Sequence, residues 1–449
     1  MARDAEAMAV LTIAGSDPSG GAGAQMDLKC FAAAGVHGLC ALTAVTVQNT
    51  TRLGALHPVP AAVVKEQLDA AYEDFRVEAV KTGMLYEASI AETVADKVAE
   101  EGTKLVVDPV LSASVGATLS KPDLVAAFRQ RLLPKAFLVT PNLPEAGELL
   151  GKRMKGEEDM RRACRELHDL GCQNVLLKGG HLPGGPALDI LYDGRFIALE
   201  APRLGVKAHG TGCMLSAFIT AYLAQGIPLE QSVRQAKERV SEALQYATRP
   251  GRGLAIADPL NGLHNASHRY TVMMEVHRRA GELAEALPVS LVPEVGVDMA
   301  FALPFAARPE DVCALEGRLV RAGRKTLRAG FPAFGTYGEL SAVVLAAMVH
   351  DRRVRCALNI RYSVQLVELA PTMGFKVGVI ARNGDAKEPF TLGGGALRTM
   401  DGLGFVPDLL CDEGGHGQEP AVLVMGEEPS AVLDKVRALV RGLGDERKA

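Results

Sequence analysis

The sequence predicts an α/β protein: a mostly parallel sheet with helices on both faces, followed by a smaller C-terminal α/β domain. Three observations point there. Over the first 250 residues, short β-rich runs alternate with helix-patterned segments, the signature of a parallel sheet covered on both sides. Polar and glycine motifs fall at the ends of these runs, where ligands bind in such sheets. A stretch rich in glycine and proline then breaks the pattern before a second patterned region begins.

Taken in order, the candidate strands of the first domain (1–250) are Val10–Ala14, Ala79–Thr82, Leu105–Asp108, Phe137–Thr140 and Val175–Lys178. Pro60–Tyr72, Glu87–Glu100, Asp159–Leu170, Met214–Gln225 and Leu229–Thr248 carry helical periodicity. Residues 251–265 read as a linker, because glycine and proline interrupt the helix and no apolar period survives. In the second domain (266–449), Tyr270–Leu287 reads as a helix. Val343–Val349 is an apolar run, and Lys376–Ala381 and Ala421–Met425 read as strands.

Composition narrows the function classes. A net charge of −4 over 449 residues offers nucleic acid no general attraction. No apolar run is long enough to span a bilayer, and Asp4 and Glu6 ahead of the first strand do not suit a signal peptide. The eight cysteines include no C-x-x-C pair, so neither a zinc knuckle nor a disulfide framework is expected, and a reducing cytoplasm fits.

Two phosphate-binding signatures are absent: there is no G-x-x-x-x-G-K-[ST], and GSDPSGGAG after the first strand does not fit G-x-G-x-x-G. The phosphate chemistry therefore rests on Gly210-Thr211-Gly212-Cys213, a glycine-rich opening to an apolar helix. Backbone N–H groups there can hold the charge of a transferred phosphoryl group. A tight turn with Cys213 as a small core residue is an equal reading. Asn142 and Glu145 in TPNLPEA follow a strand and can reach Mg²⁺ through water, or form an ordinary helix cap. Lys178 before Gly179-Gly180 can meet a phosphate, or simply end a strand in solvent, and Asp108 in VVDPV has the same two readings. Asp108 and Glu145 offer Mg²⁺ carboxylates without forming a tight protein cage. Together at one edge of a sheet, these residues favour a site.

The stretches TIAGSDPSGGAGAQMDLK, TAVTVQNT, VKTGML, VVDPV, TPNLPEA, LKGGH, LYDG and HGTGC span the first domain in order. They closely resemble the hydroxymethylpyrimidine and phosphomethylpyrimidine kinases of the ribokinase-like fold. The resemblance implies ATP, Mg²⁺ and two successive phosphorylations of the thiamine pyrimidine, 4-amino-5-hydroxymethyl-2-methylpyrimidine. It implies pyrimidine contacts at Gly15, Asp27, Gln48, Met84 and Val110, phosphate contacts at Lys178 and Thr211, a base at Cys213, and a homodimer formed through the kinase domain. The loop LSASVGATL after Val110 departs from the family text. Gln48 and Met84 argue against a related pyridoxal kinase.

A thiol in the base position has a physical rationale. A fixed carboxylate would repel the monophosphate acceptor of the second step by about 4 kcal/mol at 4 Å and an effective dielectric of 20. A thiol can be neutral there, yet ionise at a helix N-terminus when an alcohol must lose its proton.

LVPEVGVDMAFALP, EGRLV, FGTYGEL, LNIRYS, VPDLL and DEGGHGQEP resemble the ThiN-type thiamine-phosphate synthase domain. That resemblance implies condensation of the pyrimidine diphosphate with a thiazole phosphate, with Arg318 and Arg361 as anion-binding residues. Glu339 and Ala342 stand where the family has His and Arg, and Gln418 where it has Lys. His416 is a candidate to compensate. Arg352, Arg353 and Arg355 read more simply as a solvated cluster. A working synthase and a non-catalytic domain that binds thiamine phosphate and regulates are both open at this point.

Overall fold

The computed structural model describes residues 8–111, 122–180, 185–206, 208–336, 338–380, 382, 390–415 and 417–444. It divides into two compact units, 1–262 and 263–449. The departing loop after Val110 and His416 lie outside the described residues, Val110 and Leu111 apart.

The first unit runs β1 (Ala9–Ser16), α1 (Gly23–Ala33), β2 (His37–Gln48), β3 (Leu53–Pro58), α2 (Ala61–Asp74), β4 (Val77–Thr82), α3 (Ala88–Glu101), β5 (Lys104–Val107) and α4 (Pro122–Ala127). It continues through β6 (Leu138–Val139), α5 (Leu143–Leu150), α6 (Glu157–Asp169), β7 (Val175–Lys178), β8 (Ala187–Tyr192), β9 (Phe196–Ala201), β10 (Ala208–His209), α7 (Thr211–Ala224), α8 (Leu229–Gln245) and β11 (Ala255–Ile256). Nine strands form one sheet in the order β3-β2-β1-β4-β5-β6-β7-β8-β9. From β2 to β7 all neighbours are parallel, while β3, β8 and β9 join antiparallel at the edges.

The parallel strands are apolar on both faces because both are covered. Leu11, Ile13, Leu105, Val107, Val139, Val175 and Leu177 pack with α2, α3, α5 and α6. Val10, Val106, Leu138 and Leu176 point the other way, against α1, α7 and α8. Alternation along each strand thus fixes which helices lie on which face. Helix α7 is buried nearly all round, which is why it reads as a continuous apolar run rather than an amphipathic stripe.

The stretch expected to be a linker is structured. Ala255–Ile256 pairs with β10, Leu254 N–H donates to Thr50 O, and α9 (Asn261–Ala286) begins inside it. Glycines and prolines here let the backbone turn closely over Thr50: a Cβ on Gly253 would lie 2.0 Å from the Thr50 carbonyl oxygen.

The second unit contains β12 (Met299–Ala302), β13 (Val312–Leu315), β14 (Leu319–Ala322), β15 (Lys325–Arg328), β16 (Pro332–Phe334), α10 (Glu339–His350), β17 (Cys356–Arg361), α11 (Val364–Thr372), β18 (Val377–Val379), α12 (Leu392–Leu403), β19 (Leu409–Asp412), β20 (Ala421–Gly426) and α13 (Pro429–Gly442). Its seven-stranded sheet has the order β16-β13-β12-β17-β20-β19-β18. It is antiparallel except for β18 against β19. Helices α9, α11 and α13 cover one face and α10 and α12 the other. The apolar run at 343–349 belongs to α10.

Candidate active site

The carboxyl ends of β1, β4, β5, β6 and β7 and the start of α7 supply the site of the first unit. Gly210 caps α7 with φ of 85°, and a Cβ there would lie 1.9 Å from the Gly21 carbonyl oxygen. Only glycine allows this turn. The helix begins at Thr211, earlier than the periodicity suggests, so Gly212 and Cys213 sit within its first turn.

Lys178 is brought to this helix mouth. Its Nζ lies 3.1 Å from Asp108 Oδ1 and 4.0 Å from Glu145 Oε2. A Cβ on Gly212 would come within 3.3 Å of the same nitrogen. Asp108 is held from two further sides, by Thr140 Oγ1 donating at 3.2 Å and Ser216 Oγ at 3.1 Å. Burial acts to raise Asp108, but the Lys178 and Lys81 ammoniums outweigh it and hold the carboxyl below its ordinary range. Burial pushes Glu145 up to about 7; Lys178 opposes that shift and Asp108 adds to it.

Asn142 and Glu145 form a reciprocal capping box. Glu145 N–H donates to Asn142 Oδ1 at 2.9 Å, and Asn142 N–H to Glu145 Oε2 at 2.8 Å. The cap does not compete with a role in the site, since it aims a Glu145 oxygen toward Lys178.

Cys213 is half-buried. Burial pushes its thiol up to about 11, despite the Lys81 ammonium and the Gly23 N–H that favour a thiolate. In the free protein burial therefore favours the neutral thiol over the thiolate.

Asp27, expected as a pyrimidine contact, lies in the interior beside the site. It is fully buried, with Oδ2 accepting from Thr12 Oγ1 at 2.6 Å and Lys81 Nζ at 2.8 Å. Burial alone would lower Lys81, but Asp27 and its neighbours reverse the shift and keep the amine charged. Gln48 is half-buried and its amide lies 3.0 Å from His209 Nε2. Gly15 backs onto Met84, whose methyl would meet a Cβ there at 2.3 Å. Val110 is half-buried beyond Asp108, its N–H donating to Asp108 O at 2.9 Å. Lys81, Ser216 and His209 were not singled out by sequence reasoning. Lys81 had a signal, an ammonium inside the candidate strand Ala79–Thr82; His209 and Ser216 had none beyond their place around the glycine motif.

In the second unit, Arg318 and Arg361 are exposed and no contact between them occurs among the described residues. Arg318 adopts φ of 60° and donates from Nη1 to Val295 O at 2.8 Å. Arg361, at the end of β17, lines a cavity of about 260 Å³ with Ser290, Tyr362, Ser363 and Gln365. Glu339 is exposed at the start of α10, within the electrostatic reach of Arg382. Arg382 itself grips Asp412 with Nε at 2.7 Å and Nη2 at 2.6 Å, and donates to Gln418 Oε1 at 2.7 Å. Sequence reasoning missed this arginine, which brings a positive charge to Gln418.

Among the described residues no helix is long and apolar enough to cross a membrane, and no group of three or more His, Cys, Asp or Glu side chains could hold a metal ion.

Comparison with known proteins identifies the family of each unit. Residues 17–258 match the phosphomethylpyrimidine kinase family, and residues 275–438 form a domain that matches thiamine-phosphate synthase ThiN. A hydroxymethylpyrimidine/phosphomethylpyrimidine kinase of Rhizobium meliloti is 44% identical over 250 residues, covering 54% of this chain and 94% of the relative. The thiamine biosynthesis bifunctional protein ThiED of Geobacter sulfurreducens is 48% identical over 247 residues, covering 54% of this chain; the chain spans only 50% of that protein's length. The crystal structure of an ADP complex of Bacillus subtilis pyridoxal kinase is 35% identical with a TM-score of 0.54, covering 57% of this chain and 98% of that one. The fold, the strand-end constellation and the matched residues lead to one assignment: the chain belongs to the phosphomethylpyrimidine kinase family.

Proposed function

We propose that the first unit phosphorylates hydroxymethylpyrimidine and then its monophosphate, with ATP as donor, and that the second condenses the resulting diphosphate with thiazole phosphate to give thiamine phosphate. The observation that carries the kinase reading is Lys178, whose ammonium stands over the first turn of α7 between Asp108 and Glu145. That nitrogen can meet the transferred phosphate while the N–H groups of Thr211, Gly212 and Cys213 hold the charge that develops on it. The acceptor oxygen forms its bond to the γ-phosphorus as the bond to ADP breaks, and in the first step the hydroxyl proton passes to an oxygen of the transferred phosphate. The uncharged Cys213 thiol leaves room for a phosphate monoester beside it without repulsion.

The carboxylates fit Mg²⁺ through its waters rather than as a protein cage. Lys178 already fills the space between Asp108 and Glu145, leaving one oxygen of Glu145 outside both the ammonium contact and the cap. Mg²⁺ bound there would neutralise charge on the ATP phosphates.

For the second unit one observation favours ligand binding without catalysis: Glu339 adds negative charge near Arg382, whose guanidinium is already committed to Asp412 and Gln418. One experiment decides among these readings. The whole chain is incubated with hydroxymethylpyrimidine, ATP and Mg²⁺, with and without thiazole phosphate, and products are followed by chromatography. Monophosphate then diphosphate is expected, and thiamine phosphate when the thiazole is present. Faster turnover of pyridoxal than of the pyrimidine overturns the kinase reading, and diphosphate that accumulates unused beside thiazole phosphate overturns the synthase.

A further inference from the structure

Asp17, His209 and Gln48 form a chain of contacts that the reaction as described above does not use. Asp17 Oδ2 lies 3.1 Å from His209 Nε2, and the same nitrogen lies 3.0 Å from the terminal amide of Gln48. One ring nitrogen thus faces two groups at once. It can carry one hydrogen or one lone pair, not both.

The charge state of Asp17 decides which. Its carboxylate accepts from Ser19 N–H at 2.9 Å, Ser19 Oγ at 2.8 Å and Ala22 N–H at 2.9 Å. A carboxyl held by several donors is an ionised acceptor. It demands a hydrogen on His209 Nε2. His209 is only 3% exposed, and its Nδ1 is buried without a partner among the described residues. A second hydrogen there would be an unpaired buried donor, so the ring's single hydrogen belongs on Nε2. Gln48 must then turn its carbonyl oxygen toward His209, because two N–H donors cannot face each other. The half-turn that achieves this leaves the shape of the amide unchanged.

We infer that Asp17, acting through His209, fixes the side-chain amide of Gln48 so that its NH₂ and not its carbonyl meets the substrate. Asp17 and His209 are positioning residues. This deepens the kinase reading and rests on it. The selected ligand presents a lone pair at this point, as the ring nitrogen of an aminopyrimidine does. A ring with C–H there gains no bond and leaves the amide unpaired. Gly21 belongs to the device: a Cβ on it would lie 2.6 Å from His209 Cδ2, so a side chain there would displace the ring.

The test has two arms on the full chain. In the first, long-range ¹⁵N–¹H correlation of the histidine rings, with His209→Gln to assign the signal, reads the ligand-free protein. A hydrogen on Nε2 alone is expected; a hydrogen on Nδ1, alone or in addition, overturns the inference. In the second, Asp17→Asn and Gly21→Ala are compared with wild type. The KM for hydroxymethylpyrimidine is expected to rise about tenfold or more, the effect of one lost bond to a buried polar edge, with kcat within about threefold. Unchanged KM in both variants, or kcat falling as far as KM rises, overturns it. Absence of pyrimidine turnover by wild type would refute the kinase reading instead, and the first arm would still decide the orientation of the chain.

Discussion

Lys81 Nζ and Asp27 Oδ2 lie 2.8 Å apart in the interior of the first unit, with neither side chain exposed. Lys81 rises from the interior strand β4 and Asp27 from α1, so the pair ties the sheet to the helix that faces α7. Removing one partner leaves a buried uncompensated charge. Lys81→Met is expected to lower the stability of this unit by about 3–5 kcal/mol, whereas Lys81→Met with Asp27→Leu recovers most of the loss. Denaturant unfolding, followed through hydrogen exchange of the β1 and β4 amides, measures both. A loss below about 1 kcal/mol in the single variant would show that the pair does not support the fold.

The same lysine is the largest charge favouring a thiolate at Cys213, and it is outweighed by burial. With the thiol near 11, alkylation of Cys213 by a small reagent is expected to be slow at pH 7 and to accelerate until about pH 11. A midpoint near the ordinary thiol value would restore an ionised base. In steady-state assays, Cys213→Asp is expected to impair phosphorylation of the monophosphate more than of the alcohol, because only the former brings a dianion beside a fixed carboxylate. Equal impairment of both steps would refute the repulsion argument.

Glu145 gives a pH signature. Its folded value of about 7 stands above the ordinary 4.5, so the stability it contributes is present below pH 4.5 and is lost as pH rises through 7. A cation that pairs with the ionised carboxylate reverses that loss. Mg²⁺ with ATP is expected to raise the thermal midpoint more at pH 8 than at pH 6, and Glu145→Gln to flatten the difference. A Mg²⁺ effect independent of pH in wild type would remove Glu145 from the metal's surroundings.

Much of the first unit is legible in the sequence because a parallel sheet leaves clear marks: apolar runs, turn residues and a polar side chain where each strand ends. Asp108, Lys178 and Glu145 meet because their strands are neighbours, which the alternation of elements already suggests. What the sequence hides is burial and contact across distant segments. Asp27 gives no sign in the sequence that Lys81, 54 residues away, pairs with its Oδ2. The burial that pushes the Cys213 thiol up leaves no mark in the sequence. His209 is one residue from the glycine motif and carries no pattern of its own. Residues 255–256 are too short to announce a strand, and only their pairing with 208–209 reveals one.

Gly212 offers a gentle probe of the helix mouth. An added methyl would meet only the far end of Lys178, at 3.3 Å, so the backbone need not move. Gly212→Ala is expected to leave the thermal midpoint within a few degrees of wild type while lowering kcat by about 10²–10³, the usual cost of losing one donor aimed at the transferred group. Calorimetry and steady-state assays on one preparation separate the two effects. Wild-type kcat in this variant would mean that the ammonium seen beside Gly212 is not where the phosphate is met.

Glu339 tests the second unit. It is exposed at the first turn of α10 and within the field of Arg382. A negative charge there opposes departing pyrophosphate, and Arg382 cannot fully compensate while Asp412 holds its Nε and Nη2. Replacing the carboxylate both removes repulsion and supplies a donor. Glu339→His is therefore expected to raise thiamine phosphate formation by about tenfold or more, with thiamine phosphate binding changed far less. Binding is read by calorimetry on the full chain, and synthesis by product formation from the pyrimidine diphosphate and thiazole phosphate. If the natural sequence already synthesises rapidly and Glu339→His brings no gain, the residue lies outside the path of the leaving group. If neither chain synthesises yet both bind, the domain acts as a sensor of the pathway's product. Arg318 and Arg361 then remain as its anion contacts, and Arg361→Ala, which opens the 260 Å³ cavity, is expected to weaken that binding.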